Sequence, residues 1–178
     1  DPVVLCNLPM LPNRLLVFSA TLMLVTNSAS AVNPSISASD TGDNPFLTAS
    51  TLPYQLPPFD RIKDGHYLPA FAEGMRQQQA EVNTIADNAA APSFDNTIVA
   101  LERSGQVLTR VSKTFFNLTG ANTNDTLESI QRELSPKLAA HGDSINLNGK
   151  LFERVKTLYE KRNSLGLDAE SKRLLWRY

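Results

Sequence analysis

The stretch Pro92-Ser93-Phe94-Asp95-Asn96-Thr97-Ile98-Val99-Ala100-Leu101-Glu102-Arg103-Ser104-Gly105 holds a stop, a cap and the first turns of an amphipathic helix. Pro92 disfavours the helical conformation at Ala91 and closes the helix before it. Asp95 or Asn96 is placed to cap the next one, its side-chain oxygen accepting from first-turn amides. Ile98, Leu101, Gly105, Leu108, Val111, Phe115 and Leu118 then recur at three- and four-residue steps, the buried stripe of one long helix. Glycine inside a helix costs about 1 kcal/mol against alanine. Gly105 on the stripe therefore predicts close approach of a neighbouring helix. Gly120 is placed to end the helix.

Upstream, Leu68, Phe71, Met75, Gln78, Val82, Ile85 and Ala89 form a helical face, with Pro69 in its first turn. Downstream, a third helix starts near Asp125, with Glu128 three residues on as in a capping box. Its stripe is Leu127, Ile130, Leu134, Leu138, His141 and Ile145. Pro136 falls inside it and is expected to kink or split it. Asn148 precedes a fourth helix with Leu151, Phe152, Val155, Leu158 and Tyr159 inward, broken by Gly166. Asp168 caps a fifth, carrying Leu174 and Leu175. No segment alternates as a strand does. The fold class is all-α: antiparallel helices behind an extended, proline-containing N-terminal strap, as an incomplete part of a larger helical protein. Leu52, Tyr54, Leu56 and Phe59, between Pro53, Pro57 and Pro58, are expected to pin that strap.

The chain opens differently. Arg14, the apolar run Leu15 to Val25 and the small-residue pattern Ala29-Ser30-Ala31 have the three-part layout of a secretory signal peptide. The run is too short for the roughly 20 residues of a stable membrane anchor. Residues 1–9 read as an upstream artefact before Met10, 10–31 as a signal peptide cleaved near Ala31, 32–43 as a disordered linker, and 44–178 as the helical region. Export to the periplasm or outside the cell follows. The single cysteine, Cys6, would be lost on cleavage.

Candidate chemistry is sparse. A net charge of −1 with scattered basic residues offers no footprint for nucleic acid. His66 and His141 are the two histidines, and neither has a second histidine one helical turn away. His66 reads as a first-turn or surface residue and His141 as a hydrogen-bonded core residue. Ser104-Gly105 lacks a nucleophile elbow. Glu73, Glu81, Glu102, Glu128 and Glu133 fall on helix surfaces and read as solvation. Phe115-Phe116 reads as core. The sequons Asn117-Leu118-Thr119 and Asn124-Asp125-Thr126 carry no weight. No catalytic, cofactor-binding or metal-binding residue is assigned in this chain.

A series of blocks resembles one family in order and spacing. They are Asn44-Pro45-Phe46, Leu52-Pro53-Tyr54, Phe59-Asp60, His66 to Met75, Pro92 to Gly105 and Leu108-Thr109-Arg110-Val111. Phe115 to Leu118, Thr123-Asn124-Asp125, Leu151 to Val155 and Leu165 to Glu170 complete it. The family is that of the thimet-oligopeptidase-like zinc metallopeptidases, in their bacterial peptidyl-dipeptidase (dipeptidyl carboxypeptidase) branch, matched at its N-terminal part. The resemblance implies zinc in the full-length enzyme, oligopeptide substrates and release of C-terminal dipeptides. It implies no cofactor in this chain, because the zinc motif lies beyond the matched region. The expected function is that of an N-terminal fragment of an exported peptidase, inactive alone. The alternatives are a standalone periplasmic helical module that binds peptides or a partner, and a half that joins a missing catalytic half. Lys172 to Tyr178 reads as an interrupted helix, with Leu174, Leu175 and Trp176 exposing apolar surface.

Overall fold

A computed structural model describes residues 44–178. The readings made for 1–9, 10–31 and 32–43 lie outside the described residues. Among the described residues every regular element is helical. The helices are α1 (Tyr67–Ala86), α2 (Ala100–Arg103), α3 (Gln106–Ala121), α4 (Asp125–Asn146), α5 (Gly149–Glu160) and α6 (Ala169–Arg177). A π-helical segment, Phe94–Val99, leads into α2.

The central element is α1, which packs on α3, α4 and α5. Its first half buries Tyr67, Ala70 and Phe71 against Val111 and Phe115 of α3 and Leu127, Ile130 and Leu134 of α4. The aromatic rings meet edge-on: Tyr67 and Phe115 are 5.0 Å apart, Phe71 and Phe115 5.5 Å. Its second half buries Val82, Ile85 and Ala86 against Leu101 and Leu151. A third cluster joins Ile98, Leu158 and Leu175. The helix ends at Ala86, so Ala89 is exposed in the following loop and not on the stripe.

The second predicted helix is broken. Ser104 is extended and Gly105 is left-handed (φ 69°), so α2 stops and α3 restarts. The Gly105 amide donates to Glu81 Oε2 of α1 at 2.7 Å. A Cβ on Gly105 would collide with the Gln78 side chain. Close approach of a neighbouring helix is therefore present, but Gly105 sits at a joint, where a positive φ also demands glycine. The cap upstream is Ser93, not Asp95 or Asn96. Ser93 Oγ accepts from the Asn96 amide, and Asn96 Oδ1 accepts from the Ser93 amide. Gly120 lies inside α3, which ends one residue later with Asn122 as its C-cap.

Asn124 caps α4, accepting from the Leu127 amide at 2.8 Å, in place of the expected Asp125–Glu128 box. Pro136 does not split this helix. It lies on the exposed face, where the Arg132 carbonyl it leaves without an amide partner can be hydrated. Asn148 caps α5 and Asp168 caps α6 as predicted, accepting from Leu151 and Ser171.

The strap also departs from expectation. Leu52, Tyr54, Leu56 and Phe59 are exposed. The prolines do not keep the segment extended: Pro53–Gln55 forms a tight turn with Tyr54 and Gln55 at positive φ. The anchor is Phe46 instead, buried with its ring 5.2 Å from Tyr67. Arg110 Nη1 donates to the Phe46 and Thr48 carbonyls at 2.6 Å. Asn44 Nδ2 donates to the His66 carbonyl. Burial of the Phe46 ring and capture of backbone carbonyls by Arg110 and Asn44 together hold the strap.

Candidate functional site

Three clusters concentrate the unusual chemistry. The first surrounds Arg154, which is buried on the inward face of α5 between Leu151 and Leu158. Its Nη1 donates to the Asn88 and Ala90 carbonyls at 2.7 and 3.1 Å, and Nη2 to Asn96 Oδ1 at 2.9 Å. The guanidinium thus gathers the loop after α1 and the capping box before α2. Nε finds no partner. The planar fork suits three fixed acceptors on one side. Sequence reasoning missed this residue, although its place at i+3 from Leu151 and i−4 from Leu158 marks it as inward.

The second cluster joins α1, α3 and α4. His141 Nε2 is 2.8 Å from Gln78 Oε1, and Gln78 lies against Gly105. Burial pushes the His141 imidazole below its usual pKa. His141 is half-buried and hydrogen-bonded on the α4 stripe. His66 serves a local turn, its Nδ1 accepting from the Lys63 amide. The Ser104 hydroxyl donates to the Leu101 carbonyl and faces no base there.

The third is a groove of about 280 Å³ on the outer side of α5 and α6, lined by Phe152, Val155, Tyr159, Trp176 and Tyr178 among others. Phe152 and Tyr159 were expected inward; both are exposed. Leu175 was expected to lie exposed at the chain end and is buried, whereas Trp176 is 71% exposed. Tyr178, which lines the groove, is tied to Glu102 of α2. Glu102 Oε1 accepts from the Tyr178 hydroxyl at 2.9 Å and from Arg177 Nη2 at 3.1 Å. Burial and this carboxylate push the Tyr178 hydroxyl up to about 12.

The remaining carboxylates hold local positions. Glu73 accepts from Arg76 and Gln77, and Glu133 from Lys137. The Glu128–Arg132 pair is 3.9 Å apart. Phe115 is core, while Phe116 is 43% exposed and meets Phe115 and Phe71 in T-shaped contacts at 5.3 and 6.4 Å. The zinc implied by the resemblance does not fit these residues. His66 and His141 belong to separate elements and serve other contacts. Among the described residues no three His, Cys, Asp or Glu side chains assemble to hold a metal ion. Among them, too, no helix is long and apolar enough to cross a membrane.

Comparison with known proteins gives the chain its relatives. No family model matches it. Over 132 residues, 74% of the chain, it is 53% identical to a dipeptidyl carboxypeptidase of Escherichia coli. Against a dipeptidyl carboxypeptidase of Salmonella typhimurium the identity is 52% over the same length. An oligopeptidase A of Salmonella typhimurium is 23% identical over 130 residues. The chain spans 18 to 19% of the length of these relatives.

Proposed function

Since the chain belongs, over its matched segment, to the bacterial dipeptidyl carboxypeptidase family, we propose that it supplies scaffold helices to an exported zinc peptidyl-dipeptidase. In this reading the segment is N-terminal in the enzyme and shapes the space that oligopeptides enter. The metal and the bond-breaking groups stand on parts of the polypeptide beyond the matched segment. None of the residues described is catalytic, and the chain does not hydrolyse peptides by itself.

One observation carries this reading: 53% identity to a dipeptidyl carboxypeptidase in a sequence whose two histidines lack the His-Glu-x-x-His pattern. Two imidazoles one helical turn apart, with a glutamate to activate water, are what a zinc peptidase of this type requires. The inward polar groups support the same role. Arg154 spends its fork on the Asn88 and Ala90 carbonyls and on Asn96, and Gln78 meets His141, contacts that tie helices together. Export follows from the signal-peptide layout of residues 10–31.

The test is direct. The purified chain is incubated with zinc and a blocked tripeptide, with and without chelator. No dipeptide is expected. Chelator-sensitive release of the C-terminal dipeptide would overturn the proposal. Export is checked by fusing residues 10–43 to a reporter active only outside the cytoplasm.

A further inference from the structure

Helix α5 has two apolar faces. Leu151 and Leu158 point inward with Arg154 and are buried. Phe152 and Tyr159 stand one residue further along, seven apart, with Val155 between them. That offset rotates them by about 100°, onto a second stripe. Phe152 is 60% exposed, and Trp176 and Tyr178 of the α6 end continue the same surface. Scattered exposed apolar side chains are ordinary, but a contiguous set lining a groove marks an interaction surface. A helix apolar on more than one side is normally covered on each of them.

We propose that this face seats an amphipathic helix with an acidic edge, contributed by the part of the same peptidase that lies beyond the matched segment. The inference rests on the scaffold reading above. Two observations select this occupant. The chain accounts for 19% of its dipeptidyl carboxypeptidase relatives, so most of the polypeptide able to cover it lies outside the matched span. The charge is also uneven. From Gly149 to Tyr178 eight Lys and Arg stand against four Asp and Glu. Arg154 is buried inward and Lys150 and Arg177 pair with Asp87 and Glu102, so the basic groups left beside the groove are few and local. Lys156 lines the groove itself, and Arg173 lies beside Trp176 on the adjoining surface. An acidic edge complements this rim, and an apolar stripe at i, i+3 and i+7 fits the groove between Phe152, Tyr159 and Trp176.

The test uses a chimera: the Escherichia coli dipeptidyl carboxypeptidase with its matched segment replaced by that of this chain. Phe152→Glu and Trp176→Glu are made in the chimera and in the isolated chain, with Leu147→Glu, at an 82% exposed site off the groove, as control. In the chimera each groove substitution is expected to lower peptidase activity about tenfold or more, because it buries an unpaired carboxylate. Leu147→Glu is expected to change it less than about twofold. In the isolated chain none should shift the thermal midpoint appreciably. Full activity of both groove variants would overturn the proposal. So would an equal loss of stability in the isolated chain, which would place Phe152 within the segment's own packing. An isolated chain that dimerises, and that Phe152→Glu makes monomeric, would assign the face to a second copy instead. An unsubstituted chimera without activity would overturn the scaffold reading, and the docking with it.

Discussion

Gly74 of α1 lies against the backbone of Leu108 in α3 with room for a hydrogen atom only. A Cβ on Gly74 would stand 2.9 Å from both the Leu108 nitrogen and its Cα. Backbone cannot move aside as a side chain can, so Gly74→Ala must push α1 and α3 apart. The expected loss is about 2 kcal/mol by urea denaturation, after the gain of up to about 1 kcal/mol in helix propensity. Gly142→Ala in α4 meets nothing within 4 Å and is expected to stabilise by about 0.5–1 kcal/mol. Equal effects at the two sites would refute this packing.

The joint at Gly105 makes a different demand. Its φ of 69° strains any side chain there, and a Cβ also displaces Gln78. Gly105→Ala is expected to cost about 1–3 kcal/mol. Gly105→Asn should be milder if the backbone angle dominates, since asparagine tolerates the left-handed region. A chemical-denaturation series over the two variants separates strain from collision.

Arg154 binds three acceptors from two separate segments. Arg154→Lys keeps the charge but cannot reproduce the fork, and is expected to cost about 2–4 kcal/mol. The exposed Lys150–Asp87 pair, at 2.6 Å, is the contrast. Lys150→Met should cost less than about 0.5 kcal/mol, because water screens it and long side chains lose entropy in forming it. Comparable losses in the two variants would contradict the buried role of Arg154.

The pH dependence has two separable limbs. Burial lowers the His141 pKa from 6.5, so the unfolded chain binds that proton more readily. His141 thus contributes full stability above pH 6.5, and the contribution declines as pH falls below it. Glu73, held down to about 2 by hydrogen bonds from Arg76 and Gln77, acts lower. Its contribution is present above pH 4.5 and is lost as pH falls towards 2. His141→Gln should flatten the upper limb alone, and Arg76→Gln should reduce the lower one, to which Asp168, held down by its hydrogen bonds from Ser171, also contributes. Denaturation midpoints measured from pH 8 to pH 2 check both. An upper limb unchanged in His141→Gln would show that another group carries it.

The helices were legible because their signals are local. Three- and four-residue periodicity, Pro92, and the caps Asn148 and Asp168 all act within a turn or two of chain. The break at Ser104-Gly105 was readable too, since a Ser-Gly pair signals a turn. The unbroken apolar stripe on either side of it argued the other way. Gly74 left no trace in the pattern, because nothing local distinguishes a glycine under a crossing helix from any other. The α5 faces show the limit most clearly. Leu151–Leu158 and Phe152–Tyr159 are equally good stripes, and periodicity alone cannot rank them.

What the sequence by itself determined is the all-α character of the chain and its kinship with the dipeptidyl carboxypeptidases. Both are written in residue order and spacing. Only the tertiary structure decided that Phe46 and not Tyr54 anchors the strap, that Arg154 is buried, and that Phe152 and Trp176 face outward. Burial is set by which other segments arrive at a surface, and that information belongs to no single segment of the chain.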